Sequence, residues 1–205
     1  MIIGDSGIGK TSIINAFVKE ICNNKDEMLQ QVSVVGLNTA KLLARASSEN
    51  EISQKTVALI HKLKQIEQVV LVIDDLQVLL ENGNTGKSTT LINILNAQIG
   101  EGACNLIFTI TNDAYRKHIE KQSIESKLVI INAEELDYST LLCAMHLHKK
   151  EIESHYRLEV SDDCIPNVIQ LSRRYFKERS LPSAAIDLLD RTSAAVRLCN
   201  KNARN

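Results

Sequence analysis

Tryptophan is absent, and aromatic residues make up only 3% of the 205 residues. The interior must therefore be aliphatic, and stacking platforms for single-stranded nucleic acid are scarce. Neither sign of charge is in excess. The 24 Lys and Arg against 25 Asp and Glu give a formal net charge of −1, so no global field draws the chain to nucleic acid or to an anionic membrane. Long apolar runs are missing as well. The longest aliphatic run, Val69-Val70-Leu71-Val72-Ile73, falls far below the roughly 18 residues that a bilayer span needs. No basic segment precedes an apolar stretch in the first residues given, so no secretory signal is expected. Cys22, Cys104, Cys143, Cys164 and Cys199 are odd in number and scattered, with no Cys-x-x-Cys. They argue against a disulfide framework and for reduced thiols in a cytoplasmic compartment. Cys143, His146 and His148 share no helical face and have no fourth ligand nearby, so no zinc site is expected.

What is present is enough hydrophobic residue, 44%, to build a core and too much for a disordered chain. Met1-Ile2-Ile3 reads as the stump of a strand, which predicts further residues upstream of Met1. Helical spacing of Ile13, Ile14, Phe17, Val18 and Ile21 predicts an amphipathic helix over Lys10 to Cys22. Short strands follow at Val32 to Gly36, Gln68 to Ile73, Cys104 to Ile110 and Leu128 to Ile131. Helices are expected at Thr39 to Arg45, Glu51 to Lys64, Ser88 to Gln98 and Tyr115 to Lys121. The Gln68 to Ile73 strand is apolar from Val69 onward, as in a strand covered on both faces of a parallel sheet. Five strands interleaved with helices predict an α/β fold, an open five-stranded parallel sheet with helices on both faces. From Asp137 the strand pattern stops. Ser139 to His155, Asp162 to Tyr175 and Ser183 to Cys199 read as three helices, the second capped by Ser161 and the third preceded by Pro182.

Gly4-Asp5-Ser6-Gly7-Ile8-Gly9-Lys10-Thr11 matches the P-loop pattern G-x-x-x-x-G-K-[ST] in full, between a strand and an amphipathic helix. Glycines let backbone N–H groups turn inward around phosphates without a Cβ clash. Lys10 is then placed to reach the β- and γ-phosphates and Thr11 to ligate Mg²⁺, with Ser12 next in the helix whose positive end faces the anion. A second glycine pair, Gly83 to Ser88, has too short a spacing and no strand before it, and reads as a surface turn. Val69 to Ile73 followed by Asp74-Asp75 reads as a Walker B strand. A carboxylate at the C-terminal end of a buried strand is where such sheets place ligand chemistry. Asp74 is expected to hold Mg²⁺ through water, and Asp75 to orient the attacking water. Asp75 is one methylene shorter than Glu, which leaves its carboxylate roughly 1 Å short, a misplacement that can cost ~10²-fold in rate. Thr111 ends the fourth strand. Its hydroxyl can face the γ-phosphate or cap the following turn. Basic pairs such as Lys149-Lys150 and Arg173-Arg174 read as solvated helix faces.

With these pieces placed, the chain resembles the first nucleotide-binding module of the Clp family of AAA+ ATPases, in a divergent form. Besides Gly4 to Thr11, the resemblance rests on Asp113-Ala114-Tyr115-Arg116-Lys117-His118-Ile119-Glu120-Lys121 and on Leu181-Pro182-Ser183-Ala184-Ala185-Ile186-Asp187-Leu188-Leu189-Asp190. The first is similar to the family's D-E-Y-R-x-Y-I-E-K segment and the second to its L-P-D-K-A-I-D-L-[IL]-D segment. The resemblance implies a large αβ subdomain over 1–135 and a small all-helical lid over 137–200. It also implies ATP and Mg²⁺ as ligands, Thr111 as a polar sensor, Ile186 near the adenine, and a hexameric ring that remodels protein substrates, with room for an adaptor or peptidase. Four departures bear on activity, one of them Ala184 in place of a lid lysine. Walker B ends Asp74-Asp75 where the family has Asp-Glu. The family's paired arginines, which act on a neighbouring subunit's ATP, fall on Lys127-Leu128, and Lys lacks the planar fork of Arg. Ala46 stands where an aromatic pore-loop residue would grip a threaded chain. The chain is thus expected to be a slow ATPase within a Clp-type chaperone or unfoldase. The alternative is a hydrolysis-deficient module that binds nucleotide to stabilise ring assembly. With its subunit-facing cations depleted, the module alone is expected to be mostly monomeric.

Overall fold

The computed structural model describes residues 1–23, 29, 31–44, 49–66, 68–81, 93, 95–97, 99 and 105–202. They form two compact units, Met1–Gly4 with Lys10–Asn132, and Asp5–Gly9 with Ala133–Asn205. The short turn Asp5–Gly9 groups with the second unit although the residues on either side of it belong to the first.

The first unit is a parallel sheet of β1 (Ile2–Ile3), β2 (Ser33–Leu37), β3 (Val69–Ile73), β4 (Asn105–Ile110) and β5 (Ile131–Asn132), in the order β2-β3-β4-β1-β5. Helices α1 (Lys10–Asn23), α2 (Thr39–Ala44), α3 (Glu49–Leu63), α4 (Leu76–Glu81) and α5 (Asn112–His118) accompany it. All five residues of β3 are buried, because the strand sits inside the sheet and its β-branched side chains meet apolar neighbours on both faces. Leu71, Ile73, Phe108 and Ile110 pack with Ile60, Leu76 and Leu80 into one core. Burying each such side chain fully stabilises by about 1.5–3 kcal/mol.

Several elements depart from the sequence reading. The stripe buried by α1 is Ile14 and Ile21, while Ile13 and Phe17 are 45% and 41% exposed. The fifth strand is confined to Ile131–Asn132 because β1 offers only Ile2 and Ile3 to pair with it. Helix α4 was not expected, although Leu76, Leu79 and Leu80 are buried at the i, i+3, i+4 spacing of a helix. Most of the helix expected over Ser88 to Gln98, and the Gly83 to Ser88 turn, lie outside the described residues. Residues 93, 95–97 and 99 are helical.

The second unit has three helices, α6 (Tyr138–Tyr156), α7 (Cys164–Tyr175) and α8 (Ser183–Asn202). Leu141, Met145, Ile165, Ile169, Ala185 and Leu189 form its core. Asp137 caps α6, accepting from the N–H groups of Ser139 and Thr140 at 3.0 Å each and from both hydroxyls. These donors, the hydroxyls of Ser139 and Thr140 foremost, hold its carboxyl well below the usual carboxylate range. Ser161 does not cap α7. Its carbonyl closes a turn with the Cys164 N–H at 3.0 Å, and Asp163 occupies the cap position without a side-chain bond. Among the described residues, no helix is long and apolar enough to cross a membrane, and Cys22, Cys143, Cys164 and Cys199 are free.

Candidate nucleotide site

In a parallel sheet, ligand chemistry collects beyond the carboxyl ends of the strands. The strand order here places β4 between β1, which leads into the glycine-rich turn, and β3, which leads into the acid pair. Gly4 is buried. Its N–H donates to the Ile110 carbonyl at 3.3 Å, and its carbonyl accepts from the Lys10 ammonium at 2.9 Å. Lys10 is only 6% exposed, so its charge is held at the start of α1 rather than in bulk water.

The turn needs its glycines. Gly7 has φ +86° and Gly9 φ +105°, both in the region that side-chain-bearing residues avoid. A Cβ on Gly7 would lie 2.7 Å from the Ser183 Cβ, whereas one on Gly9 would meet nothing within 4 Å. Within the second unit this turn is fastened to the segment that opens α8. Ser180 donates its N–H to the Ser6 carbonyl at 3.0 Å, and Ser183 donates to the Gly7 carbonyl at 3.3 Å. Ile8 is buried, while Asp5 and Ser6 are exposed. In the first unit, a buried lysine and an exposed Thr11-Ser12 pair on the first turn of α1 suit an anion such as phosphate.

Asp74 lies one residue past β3 and beside β4. The register pairs Ile73 with Phe108, so the next rung sets Asp74 against Thr109. The Thr11 hydroxyl donates to Asp74 Oδ2 at 2.7 Å, and the Thr109 hydroxyl donates to Asp74 Oδ1. Asp75 is in the left-handed region at φ +53°. Its N–H donates to Thr109 Oγ1 at 2.7 Å, and its exposed carboxylate accepts from Gln77 Nε2 at 2.9 Å. One hydroxyl plus one carboxylate, both oxygen donors, fits Mg²⁺, which keeps several waters and takes its other ligands from phosphates. The structure thus brings together Thr11, Asp74 and Asp75, and adds two residues that sequence reasoning missed, Thr109 and Gln77. A threonine in the strand Asn-Leu-Ile-Phe-Thr-Ile reads as an ordinary β-former. Only its register beside Asp74 marks it.

Thr111 is at the N-cap of α5, where its hydroxyl oxygen accepts from the Ala114 N–H at 3.3 Å. From there the chain runs through a brace. The Tyr115 hydroxyl donates to Glu125, whose other oxygen accepts from the Lys121 N–H at 2.8 Å. That bond to Glu125 pushes the Tyr115 hydroxyl up to about 12 and draws the Glu125 carboxyl down. The brace sets the 3-10 turn Glu125–Lys127, in which the exposed Lys127 donates to the Asn96 carbonyl at 3.3 Å. Ile186, in the second unit, is half-buried against the helical core, its N–H donating to the Pro182 carbonyl at 3.0 Å. Ala46 lies outside the described residues.

A family model described as Novel STAND NTPase 1 matches residues 1–145, and one described as AAA lid domain matches residues 140–205. The chain is 31% identical, over 98% of its length, to an ATP-dependent Clp protease ATP-binding subunit, the ClpA homolog of Cyanidium caldarium. It is 30% identical, over 97% of its length, to ClpC, the ATP-binding subunit of the ATP-dependent Clp protease of Staphylococcus aureus. The chain spans about a quarter, 24%, of the length of these curated relatives. Among solved structures, a closed-state reconstruction of Hsp104 with ATPγS and FITC-casein superposes with a TM-score of 0.84 at 26% identity, covering 100% of this chain and 36% of that one. The Saccharomyces cerevisiae Hsp104–ADP complex superposes at 0.81 and 27%, covering 96% and 28%. The chain thus belongs, over residues 1–145, to the Novel STAND NTPase 1 family, and over nearly all of its length it is similar to the ATP-binding subunits of Clp proteases.

Proposed function

We propose that this module binds ATP with Mg²⁺ and hydrolyses it slowly, serving a Clp-type unfoldase that assembles with copies of itself and remodels protein substrates. The observation that carries the reading is the meeting of Thr11 and Asp74 at 2.7 Å beside the buried Lys10. A hydroxyl from the phosphate-binding helix and a carboxylate from a neighbouring strand converge on one point. The similar Hsp104 structures were solved with ATPγS, with ADP and with casein, which fits both a nucleotide and a protein substrate here.

In this reading, Lys10 neutralises the β- and γ-phosphates, and the glycine turn donates backbone N–H groups to them. Thr11 and Asp74 would hold Mg²⁺ through their side-chain oxygens. When bound, the ion withdraws charge from the phosphate oxygens. Asp75 orients the attacking water and accepts its proton, its reach shortened by one methylene relative to Glu. Thr111 serves as the polar sensor, Ile186 packs near the adenine, and Lys127 offers a single cation to a neighbouring copy.

A second reading is that the module binds nucleotide without turnover and stabilises the assembly. It is favoured by the Asp75 carboxylate lying on Gln77 and by Lys127 lying on the Asn96 carbonyl. Steady-state phosphate release by the full-length protein separates the two. Turnover that falls ~10²-fold or more in Asp75→Asn, as expected for a positioned acid–base group worth ~10²–10⁴-fold, supports hydrolysis at this site. A rate that Asp75→Asn does not change overturns it in favour of the second reading.

A further inference from the structure

We infer that Thr109 is the positioning residue of this site, its one hydroxyl fixing the Asp74 carboxylate and the Asp75 backbone together. The inference rests on the nucleotide reading above and adds a residue to it.

Thr109 is wholly buried, 0% exposed, in β4. Its strand neighbours are Ile2 of β1 on one side and the end of β3 on the other. Valine has nearly the same shape and an equal liking for strands, while a hydroxyl buried without partners is costly. The hydroxyl is therefore tolerated here through its bonds, and it makes two. A hydroxyl has one hydrogen to give and lone pairs to receive with. The hydrogen goes to Asp74 Oδ1, and a lone pair receives the Asp75 N–H at 2.7 Å.

Each bond fixes something different. The bond given sets the rotation of the Asp74 carboxylate. The bond received anchors the peptide of Asp75, whose φ of +53° is a conformation that non-glycine residues adopt at a cost. The two acids have opposite duties and need different aims, and one buried atom sets both.

The other oxygen of Asp74 is treated differently. It accepts from Thr11 at 2.7 Å, at an exposed position. Thr11 is itself a proposed metal ligand, so its hydroxyl would serve the ion through a lone pair as well as Asp74 through its hydrogen. Thr109 has no such second duty and no access to solvent. Its bond keeps Asp74 Oδ1 turned inward, leaving Oδ2 on the side of Thr11. Groups that hold a metal ligand from behind in this way are worth about 10–100-fold in metal affinity. Thr111, two residues on, is placed for another task, its hydroxyl oxygen capping α5 by accepting from the Ala114 N–H at 3.3 Å.

The test is calorimetric titration of the full-length protein with ADP at a series of Mg²⁺ concentrations, EDTA included, for wild type, Thr109→Val and Thr109→Ser. ADP affinity in EDTA is expected to be unchanged in Thr109→Val, which also reports that the variant is folded. The half-saturating Mg²⁺ is expected to rise about tenfold, the lower end for a lost ligand-holding bond, and Thr109→Ser restores it. Thr109→Ala, with the same expectation, serves if Thr109→Val does not fold. Wild-type Mg²⁺ dependence in a folded Thr109→Val or Thr109→Ala overturns the role of Thr109 and leaves the nucleotide reading standing. Failure of Thr109→Ser to restore it overturns the role in favour of methyl packing. A wild-type protein that binds no ADP at any Mg²⁺ concentration overturns both.

Discussion

Replacing Asp75 by Glu should raise turnover while lowering stability, and the two effects have separate structural causes. Asp75 is exposed, and its carboxylate rests on Gln77 Nε2 at 2.9 Å, so one more methylene has room to extend. If the deficit in reach is about 1 Å, closing it recovers up to ~10²-fold in rate, equivalent to roughly 2.7 kcal/mol of barrier. Against this stands the backbone. At φ +53°, an ordinary side chain costs roughly 1–2 kcal/mol, and Asp escapes part of that through local hydrogen bonding of its short side chain. Glu forfeits that relief and the Gln77 contact, so its unfolding midpoint in urea should fall by an amount equivalent to about 1 kcal/mol. Phosphate release by the full-length protein at saturating ATP, read beside urea unfolding of the same samples, measures both. A folded Asp75→Glu protein whose turnover equals or falls below wild type would refute the argument from reach.

Two further predictions concern the turn and the cap. Gly7→Ala should destabilise more than Gly9→Ala. Both place a Cβ at positive φ, but only the Cβ on Gly7 meets Ser183, at 2.7 Å. The extra cost is about one hydrogen bond, ~0.5–1.5 kcal/mol, as the Ser183 N–H bond to the Gly7 carbonyl is pushed open; equal urea midpoints for the two variants would contradict this. For Asp137, the folded carboxyl lies below its ordinary value of 3.8 because the Ser139 and Thr140 hydroxyls and N–H groups donate to it. A depressed carboxylate stabilises fully above its unfolded pKa and loses that contribution as pH falls through the folded one. The stability gap between wild type and Asp137→Ala should therefore be constant above about pH 5 and narrow in acid below about pH 4, as followed by circular dichroism. A gap that widens in acid would show the sign to be wrong.

Strand β3 was legible in the sequence because a strand buried on both faces must be apolar at every position, and Val69–Ile73 is. The glycine turn was legible because positive φ at Gly7 and Gly9 demands glycine. Helix α4 was not, since six residues give too little periodicity to distinguish a helix from a polar-ended turn. Ser161 misled because its local sequence suits a cap, while the chain closes there through a backbone carbonyl instead. Thr109 could not be found without pairing information. It lies 34 residues from Asp75 in sequence, and only the β3–β4 register makes them neighbours. Sequence distinguishes residues by type, and the acids announced themselves that way. Their holder is a common strand residue whose importance comes from position alone.

The proposed Mg-nucleotide site rests on Lys10, Thr11 and Asp74. Calorimetric titration of this protein with Mg-ATP and Mg-ADP, beside Lys10→Ala, tests it most directly. Lys10 is buried with its ammonium 2.9 Å from the Gly4 carbonyl, and its removal takes the fixed positive charge from the phosphates. Saturable binding by wild type, weakened at least tenfold in Lys10→Ala, a loss of about 1.4 kcal/mol or more, is the predicted result. Equal binding by the two proteins, or none by wild type, would contradict it.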